Sequence, residues 1–509
     1  MPGAISLTGL SSDDPVPGSY LQVDFAQGEA AGSGSPIEVL LMGNMLSTGT
    51  ASAGDTVYGP DTTVQLQTEQ DAIDLFGTGS ELHRMFRRFV KVNKDTTLRA
   101  IAISESAGTQ ATGTFRLVGS ATAAGVVKLM VHDEQVEVAV AKDDLAATIG
   151  TSVADAVNTK THWGVTAAST ATGGWAYVTL TARQKGTRGN EIRFMPSITP
   201  SIGVTVPTAI DRPMADGATA DSSTTALATI NNSKYYYIVS AATDATQVGA
   251  LASQVDTNAA PTVGIRQRWI AGSVDTISAT NTIATGRNKA RGDLVWSEKS
   301  PWTGAELATN HAAIVTLFET KPNPRTNFAG FGNDAVTSQY WTVPRPRLDS
   351  AIPSRTNIKS ALNNGVCPIG VNPNGSTYLV NRITTRSLNG SNADYRIRDS
   401  HKVTICDFFG DDLVAKVNLQ FPGMRIGDDV PDGAPQPGPL VVTPRRMRNC
   451  VFGLIDVYAG NDLLQQVDII KTATVVQRET NPRSRIGIRI PLRPVDNLLQ
   501  TAVQVQQVA

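Results

Sequence analysis

The spacing of hydrophobic residues changes several times along the 509-residue chain, which predicts a mixture of strands and helices. Two short alternating segments near the ends are typical of isolated strands, and linker-like or Pro-containing stretches join both of them to the rest of the chain. The first segment contains Tyr20, Leu21, Val23 and Phe25, and the second contains Val503 and Val505. We therefore expect extended arms at both termini.

A helical pattern follows Ser80, whose hydroxyl is suited to capping a helix N-terminus. Leu82, Met85, Phe86 and Phe89 recur at spacings of three and four residues, so they predict one apolar stripe. The basic residues between them, Arg84, Arg87, Arg88 and Lys91, fall largely off this stripe. The pattern predicts a helix whose basic face is solvated.

The middle of the chain contains two regions of different character. Short strand patterns with a single helix predict an inserted β-rich module between residues 105 and 206. Strand and helix patterns then alternate from 207 to 345, which predicts an α/β layer. Within it, Thr303 and Glu306 have the spacing of a capping box at the start of a helix.

The last third of the chain is predicted to be α+β. Helices are expected around residues 404–417 and 444–458, and long core strands at 469–479 and 485–490. The second strand would place Ile486, Ile488 and Ile490 on one face. Three basic residues lie near the start of the second helix: Arg445, Arg446 and Arg448.

The predicted fold class is multidomain α/β and α+β. The expected segments are an N-terminal arm and linker (1–36), the first part of a core region (37–104), the β-rich module (105–206), the α/β domain (207–345), the C-terminal α+β domain (346–494) and a C-terminal arm (495–509).

Charge is small overall but unevenly distributed. With a formal net charge of −1, the chain has no global field that would attract nucleic acid or an anionic membrane. The segment before Arg84 contains acidic residues and no Lys or Arg, whereas the segment after Lys471 is mostly basic. This asymmetry favours contact between the two ends in an assembly, with chance distribution as the alternative.

The residues that usually carry catalysis or bind metals form no recognisable motif. The five histidines lack HxxxH spacing, and neither a GxSxG elbow nor a phosphate-binding loop is present. The acidic residues between 407 and 432 lack EF-hand spacing and predict solvated loops. The three cysteines predict buried, reduced thiols. We expect no catalytic residue, cofactor or metal, no signal peptide and no membrane-spanning segment.

An ordered set of local motifs resembles the contractile tail sheath family, and most of all the sheaths of Mu-type phages. The motifs are Val16 to Phe25; Phe76-Gly77 followed by the helix after Ser80; Tyr236 to Ser240 with Thr243-Asp244; Gly365 to Ile369; Asn374-Gly375; Val380 to Thr385; Ala393 to Tyr395; Arg398-Asp399; Asn481 to Arg483; and Ile490 to Asn497. Each motif is weak alone, but their order covers nearly the whole chain.

The resemblance implies a C-terminal sheath core and subunits stacked as hexameric rings around a tail tube. It also implies terminal arms that complete the sheets of neighbouring subunits. The expected joint pairs the terminal segments with a receiving strand at Ile486, Ile488 and Ile490. The expected partners are other copies of the chain, the tail tube protein, and baseplate and tail terminator proteins, in a virion tail assembled in the bacterial host cytoplasm. Arg445, Arg446 and Arg448 are candidates for facing the tube, or for a solvated helix start.

Two other function classes stay open at this point. The chain could be a baseplate or fibre-type protein that binds a host surface through its β-rich insertion. It could also be an enzyme, for which the discriminating feature is a convergent polar pocket in the 207–345 domain. The sequence of a single subunit is equally compatible with a phage tail and with a tail-like bacterial particle.

Overall fold

The structure, a computed structural model, describes residues 37–50, 63–103, 105–319, 327–435 and 437–499. The first described part contributes three strands and two helices: β1 (Glu38–Asn44), β2 (Thr63–Leu66), α1 (Glu69–Phe76), α2 (Glu81–Val92) and β3 (Thr97–Ile103). The predicted cap of α2 is confirmed, because the Ser80 side chain accepts a hydrogen bond from the backbone N–H of His83.

The inserted module comes next and has its own hydrophobic core. Its elements are β4 (Gln110–Val118), β5 (Gly125–Val131), β6 (Glu134–Val140), α3 (Ala146–Thr159), β7 (Val165–Thr172), β8 (Trp175–Lys185), β9 (Arg193–Ile198) and β10 (Arg212–Pro213). They form a three-stranded sheet in the order β4-β8-β7 and a four-stranded sheet in the order β10-β9-β5-β6.

The chain then completes the large sheet and its covering helices. The elements are α4 (Thr224–Thr229), β11 (Tyr237–Ser240), α5 (Ala245–Asn258), β12 (Arg268–Ser273), α6 (Ile277–Arg287), β13 (Gly292–Trp296), α7 (Gly304–Glu319), α8 (Arg355–Asn363), β14 (Cys367–Val371) and β15 (Thr377–Leu379). The capping box at Thr303 and Glu306 is confirmed by reciprocal backbone-to-side-chain hydrogen bonds.

The eight-stranded sheet has the order β15-β14-β13-β12-β11-β1-β3-β2. Its six inner strands are parallel, and β2 and β15 are antiparallel at the two edges. Alternate residues of β1 enter cores on opposite faces: Val39 and Leu41 pack in the core with α2 and α7, while Leu40 and Met42 pack in the core with α5 and α6. A strand buried on both faces explains the continuous apolar sequence of β1.

The C-terminal region packs around two long helices. Its elements are β16 (Leu388–Asn389), β17 (Asn392–Ala393), α9 (Ser400–Gln420), β18 (Arg425–Ile426), β19 (Val441–Val442), α10 (Pro444–Gly460), α11 (Val467–Ala473), β20 (Val475–Arg478) and β21 (Ile486–Arg489). Phe409 of α9 and Tyr458 of α10 meet edge to face, with ring centroids 5.0 Å apart.

The prediction of mixed α/β and α+β structure is confirmed.

The sheets do not follow the boundaries expected from the sequence. The eight-stranded sheet takes strands from both sides of the boundaries at 207 and 345, and β10 extends the module beyond residue 206. Strand pairing between distant segments is the reason, because a sheet is closed by long-range hydrogen bonds that a local pattern does not encode.

Two local predictions are corrected. Residues 469–473 belong to α11 instead of a strand, because Ile470 is buried in the core beside α10 while Ile469 stays exposed. Arg84 and Arg88 on α2 are not solvated. The Arg84 side chain contacts His132, and that of Arg88 binds Asp133, so both lie in the junction between α2 and the module.

Candidate assembly interface

The C-terminal hairpin has a free edge whose hydrogen-bonding groups can be identified. β20 and β21 pair antiparallel, and the backbone N–H of Glu479 donates to the carbonyl oxygen of Arg485 at 2.9 Å. In an antiparallel ladder the residues that bond each other alternate with residues whose N–H and C=O groups point away from the partner strand. Counted from the Glu479–Arg485 pair, the outward-pointing residues of β21 are Ile486 and Ile488.

The same register accounts for the other edge of the hairpin. Val476 of β20 is also an outward-pointing residue, and the guanidinium of Arg448 donates to its carbonyl oxygen at 3.2 Å. The edge of β20 therefore lies against α10. Among the described residues, no strand pairs with the opposite edge of β21.

The isoleucines of the hairpin hold it on the C-terminal core. Ile486 and Ile488 are partly buried and pack with Val442, Met447 and Val476. Ile488 also packs with Ile490 against the core between α9 and α10. The side chains of β21 therefore hold the strand in place. Its outward backbone N–H and C=O groups are unpaired within the described part of the chain.

The expected donor segments fall outside the described residues. This applies to Tyr20, Leu21, Val23 and Phe25 at the N-terminus and to Val503 and Val505 at the C-terminus. The last described segment is held to the C-terminal helices by a hydrogen bond of Lys402 to Asp496, and it ends with Leu498 and Leu499 exposed. Their pairing with β21 stays a prediction.

The three arginines near the start of α10 have different roles in the structure. Arg446 donates to the carbonyl oxygens of Pro437, Gly438 and Val441, so it holds the preceding loop. Arg448 holds β20, as described above. Arg445 is exposed and paired with Asp432, which is itself exposed. Of the three, Arg445 is the one whose charge faces solvent, and a tube-facing role stays a prediction for all three.

Large hydrophobic side chains are exposed mainly in the C-terminal region. Of the thirteen such residues among the described parts of the chain, seven lie beyond residue 400: Leu419, Leu440, Val457, Ile469, Val495, Leu498 and Leu499. The region that carries the free β21 edge therefore contains more than half of the exposed large hydrophobic residues of the described chain.

A buried ionic network fixes this region to the α/β sheet. Arg291, which precedes β13, binds Asp407 of α9 through two hydrogen bonds of 2.9 and 2.7 Å. Burial opposes the charge of Arg291, but Asp407 holds its pKa above the usual value. Asp411, one turn further along α9, pairs with Arg266 and Lys234. The prediction that these two aspartates lie in solvated loops is wrong, because both lie on α9 and form ion pairs with arginines of the α/β region.

Asp293 is the centre of a second network, which sequence reasoning did not find. It accepts hydrogen bonds from Arg268, Arg382 and Ser400, each contributed by a different part of the chain. Burial by itself would raise the pKa of Asp293, but Arg382 and Arg268 hold it well below its ordinary value. The only local signal is an isolated Asp in an apolar strand, which gives no indication of its partners.

Comparison with known proteins places these features in context. The chain is 24% identical over 496 residues to the Mu-like prophage FluMu tail sheath protein of Haemophilus influenzae, covering 95% of this chain and 96% of that protein. The chain is thus similar to a Mu-like tail sheath protein through nearly its whole length. No family model matches the chain.

Solved structures of sheath proteins also resemble this chain at low identity. The sheath tail protein of Desulfitobacterium hafniense is 12% identical with a TM-score of 0.49, over 94% of this chain and 97% of that one. The sheath of an extracellular contractile injection system in its contracted state is 10% identical with a TM-score of 0.42, over 98% and 99% of the two chains.

The crevice where an α/β sheet usually binds a ligand is filled by side chains in this protein. In such sheets, ligands bind beyond the carboxyl ends of the strands where the strand order reverses, which here lies between β1 and β11. Asn44 at the end of β1 donates to Asp221 through its side chain and to Glu81 through its backbone. Arg188 of the module binds Glu81 at 2.9 Å. The four side chains are buried and bonded to one another, although the side-chain oxygen of Asn44 and one terminal nitrogen of Arg188 have no hydrogen-bond partner within the described residues. Arg188 thus brings the module into the crevice.

The described residues contain neither a metal-binding cluster nor a membrane-spanning helix. Within the described ranges, no group of three or more His, Cys, Asp or Glu side chains is arranged to hold a metal ion. No helix in the same ranges is long and apolar enough to cross a membrane.

Proposed function

We propose that this chain is the repeating subunit of a contractile tail sheath, which polymerises around a tail tube and contracts to drive the tube through a host envelope. The observation that carries this proposal is the likeness to a tail sheath protein through nearly the full length of both chains. The structure supports it with a C-terminal region that has a free strand edge and several exposed large hydrophobic side chains among its described residues.

The joint between subunits is proposed to form by strand addition at β21. Tyr20 to Phe25 and the strand pattern around Val503 and Val505 are the donors, and the outward N–H and C=O groups of Ile486 and Ile488 receive them. A donor at one end of a subunit and an acceptor elsewhere on its neighbour make a heterologous contact. Such contacts generate rings and helical stacks, as hexameric rings around a tube require.

Contraction is proposed to move rigid bodies about these joints. The buried pairs of Asp407, Asp411 and Asp293 lock the C-terminal helices to the sheet, so each subunit can turn without rearranging internally. The difference between the extended and contracted states then lies in the packing between bodies while the joints persist. The energy for contraction is stored when the extended polymer assembles, and no nucleotide is needed.

The proposed partners follow from this role. Copies of the chain form the polymer, the tail tube protein lies inside it, and baseplate and tail terminator proteins close its ends. The assembled particle is the tail of a phage or a related contractile particle, built in the bacterial host cytoplasm. The exposed side chain of Arg445 is our candidate for contacting the tube. The baseplate or fibre alternative is not favoured, because the curated relative is a sheath protein.

Negative-stain electron microscopy of the purified full chain tests the proposal. We expect hollow cylinders or stacked rings to form from the protein alone. If the protein gives only compact particles, both alone and with tail tubes and baseplates added, the sheath role is contradicted. A variant in the β21 edge, described in the Discussion, serves as the matched control, since it should fold normally and fail to form cylinders.

A further inference from the structure

The inserted module has a second free strand edge, far in sequence from β21. β7 pairs with β8 and with no other strand of the described chain. The Asn158 side chain accepts from the backbone N–H of Ala167 and donates to its carbonyl oxygen, both at 2.9 Å. Ala167 therefore points its backbone groups away from β8, and by the alternation of the ladder Ser169 and Ala171 do so too.

Asn158 closes the edge only at Ala167. Beyond it, Ala171 is exposed and Ser169 is partly exposed. Natural edge strands are usually shielded by charged residues, proline, bulges or a covering helix. β7 contains none of the first three over its eight residues, while α3 packs against the strand and bonds to its edge at Ala167 through Asn158. The turn that follows is a tight two-residue connection, in which Gly173 and Gly174 both have positive φ. The free part of the edge is thus held in an extended conformation ready for pairing.

An aromatic and basic cluster lies on the two strands that precede β7 in the sheet order, with Trp175 and Tyr177 on β8 and Arg116 on β4. Trp175 is 40% exposed, and its ring centroid lies 6.5 Å from that of Tyr177 in an edge-to-face arrangement. The guanidinium carbon of Arg116 lies 4.7 Å from the centroid of the Trp175 ring. Thr172 and Trp175 are cross-strand partners, so the cluster adjoins the end of β7 that Asn158 leaves open. An exposed Trp with a partly buried Tyr and Arg has the composition of a protein-binding hot spot.

The charge of this sheet indicates the character of the partner. β4, β7 and β8 contain no Asp or Glu, and their charged residues are Arg116, Arg183 and Lys185. Arg116 forms no ion pair within the described part of the chain. We infer that the β7 edge with Arg116, Trp175 and Tyr177 binds an extended, acidic peptide segment of another protein. The peptide adds as a fourth strand beyond β7, on a sheet whose charged residues are all basic.

Binding of a labelled peptide to the full chain tests this inference. The probe is an end-blocked peptide of alternating valine and glutamate, compared with the same peptide carrying lysine in place of glutamate. We expect saturable binding of the acidic peptide, measured by fluorescence anisotropy. We also expect slower hydrogen exchange in residues 165–174 when the peptide is bound. The lysine peptide should bind at least about tenfold more weakly.

Three variants and one control separate strand addition from other modes. Ala171→Pro removes an outward N–H without removing a bond to β8, and it should weaken binding at least about tenfold. Thr170→Val, next to it, keeps the backbone donor and should bind normally. Arg116→Glu should reverse the preference towards the lysine peptide, and Trp175→Ala should weaken binding of both peptides.

Two results would overturn the inference. One is the absence of saturable binding of the acidic peptide at concentrations up to about 1 mM. The other is binding of an oligogalacturonate probe that depends on Trp175 and Arg116 and is unchanged by Ala171→Pro. That second result would assign the cluster to an acidic saccharide. Neither result bears on sheath formation at β21, so this inference and the proposed function can fail separately.

Discussion

Arg291 and Asp407 form a two-bond ion pair between the start of a sheet strand and the middle of a helix that lies 116 residues further along the chain. Both side chains are nearly inaccessible to solvent. A buried pair of this geometry is destabilising if one partner is removed, because the other charge stays desolvated. It therefore joins the C-terminal helices to the α/β sheet as one mechanical unit.

The first prediction concerns this pair. Asp407→Asn should lower the free energy of unfolding by about 3–5 kcal/mol, because Arg291 keeps its charge without a counterion. Urea denaturation monitored by circular dichroism measures the change. The double variant Arg291→Met, Asp407→Leu should recover much of the loss. Equal losses in the single and double variants would contradict a role for the pair itself.

The second prediction concerns pH. Glu191 of the module accepts hydrogen bonds from the backbone N–H of Gly304 and the hydroxyl of Thr243, at 2.8 and 2.7 Å. Burial raises its pKa from 4.5 to about 7 despite these bonds. The folded state therefore keeps a proton that the unfolded state releases, and this contribution to stability is lost as the pH rises from 4.5 to about 7.

Glu191→Gln tests this linkage. Glutamine keeps an oxygen acceptor for Gly304 and does not ionise, so the variant should lose less stability than the parent protein as the pH rises from 4.5 to 7. Thermal unfolding at a series of pH values measures the difference. Parallel pH profiles of the two proteins would show that Glu191 keeps its ordinary pKa.

The third prediction tests the joint. Ile486→Pro removes an outward backbone N–H at the first position of β21, where proline is tolerated in a strand. We expect an unchanged circular dichroism spectrum and the loss of cylinders in electron micrographs. Ile486→Val keeps the N–H and most of the side chain, so it should assemble normally. Cylinders formed by Ile486→Pro would exclude that N–H from the joint.

The fourth prediction separates the arginines near the start of α10. Arg446→Ala should lower stability by about 1–3 kcal/mol, because its guanidinium donates to three loop carbonyls. Arg445→Glu should leave stability nearly unchanged, since the Arg445–Asp432 pair is exposed. If Arg445 contacts the tube, Arg445→Glu should form cylinders alone but co-assemble poorly with tail tubes in a pelleting assay. Normal co-assembly would remove it from the tube interface.

The fifth prediction concerns the thiols. Cys367, Cys406 and Cys450 are free and buried, and burial raises the pKa of the Cys367 and Cys450 thiols. Reaction with a chromogenic thiol reagent at neutral pH should be slow in the folded protein and fast in denaturant. Rapid labelling of one cysteine in the native protein would show that its surroundings open. Mapping the labelled peptide would identify which one.

Local patterns in the sequence determined much of the secondary structure. The stripe of Leu82, Phe86 and Phe89 and the capping box at Thr303 and Glu306 each specify a helix through contacts three and four residues apart. The alternating segments of the module specify strands in the same way. The ordered motifs also indicated the sheath family. These features need only near neighbours, so the sequence contains them directly.

The tertiary structure alone decided how the strands are shared and which charges are buried. The pairing of β1 with β11 joins residues almost 200 positions apart, and no local pattern specifies it. Arg88 has the sequence context of a solvated helix face, yet Asp133 and Glu306 enclose it. Likewise, β21 and β7 are edge strands because each pairs with only one other strand of the described chain. Such features depend on long-range contacts, which form only when the whole chain has folded.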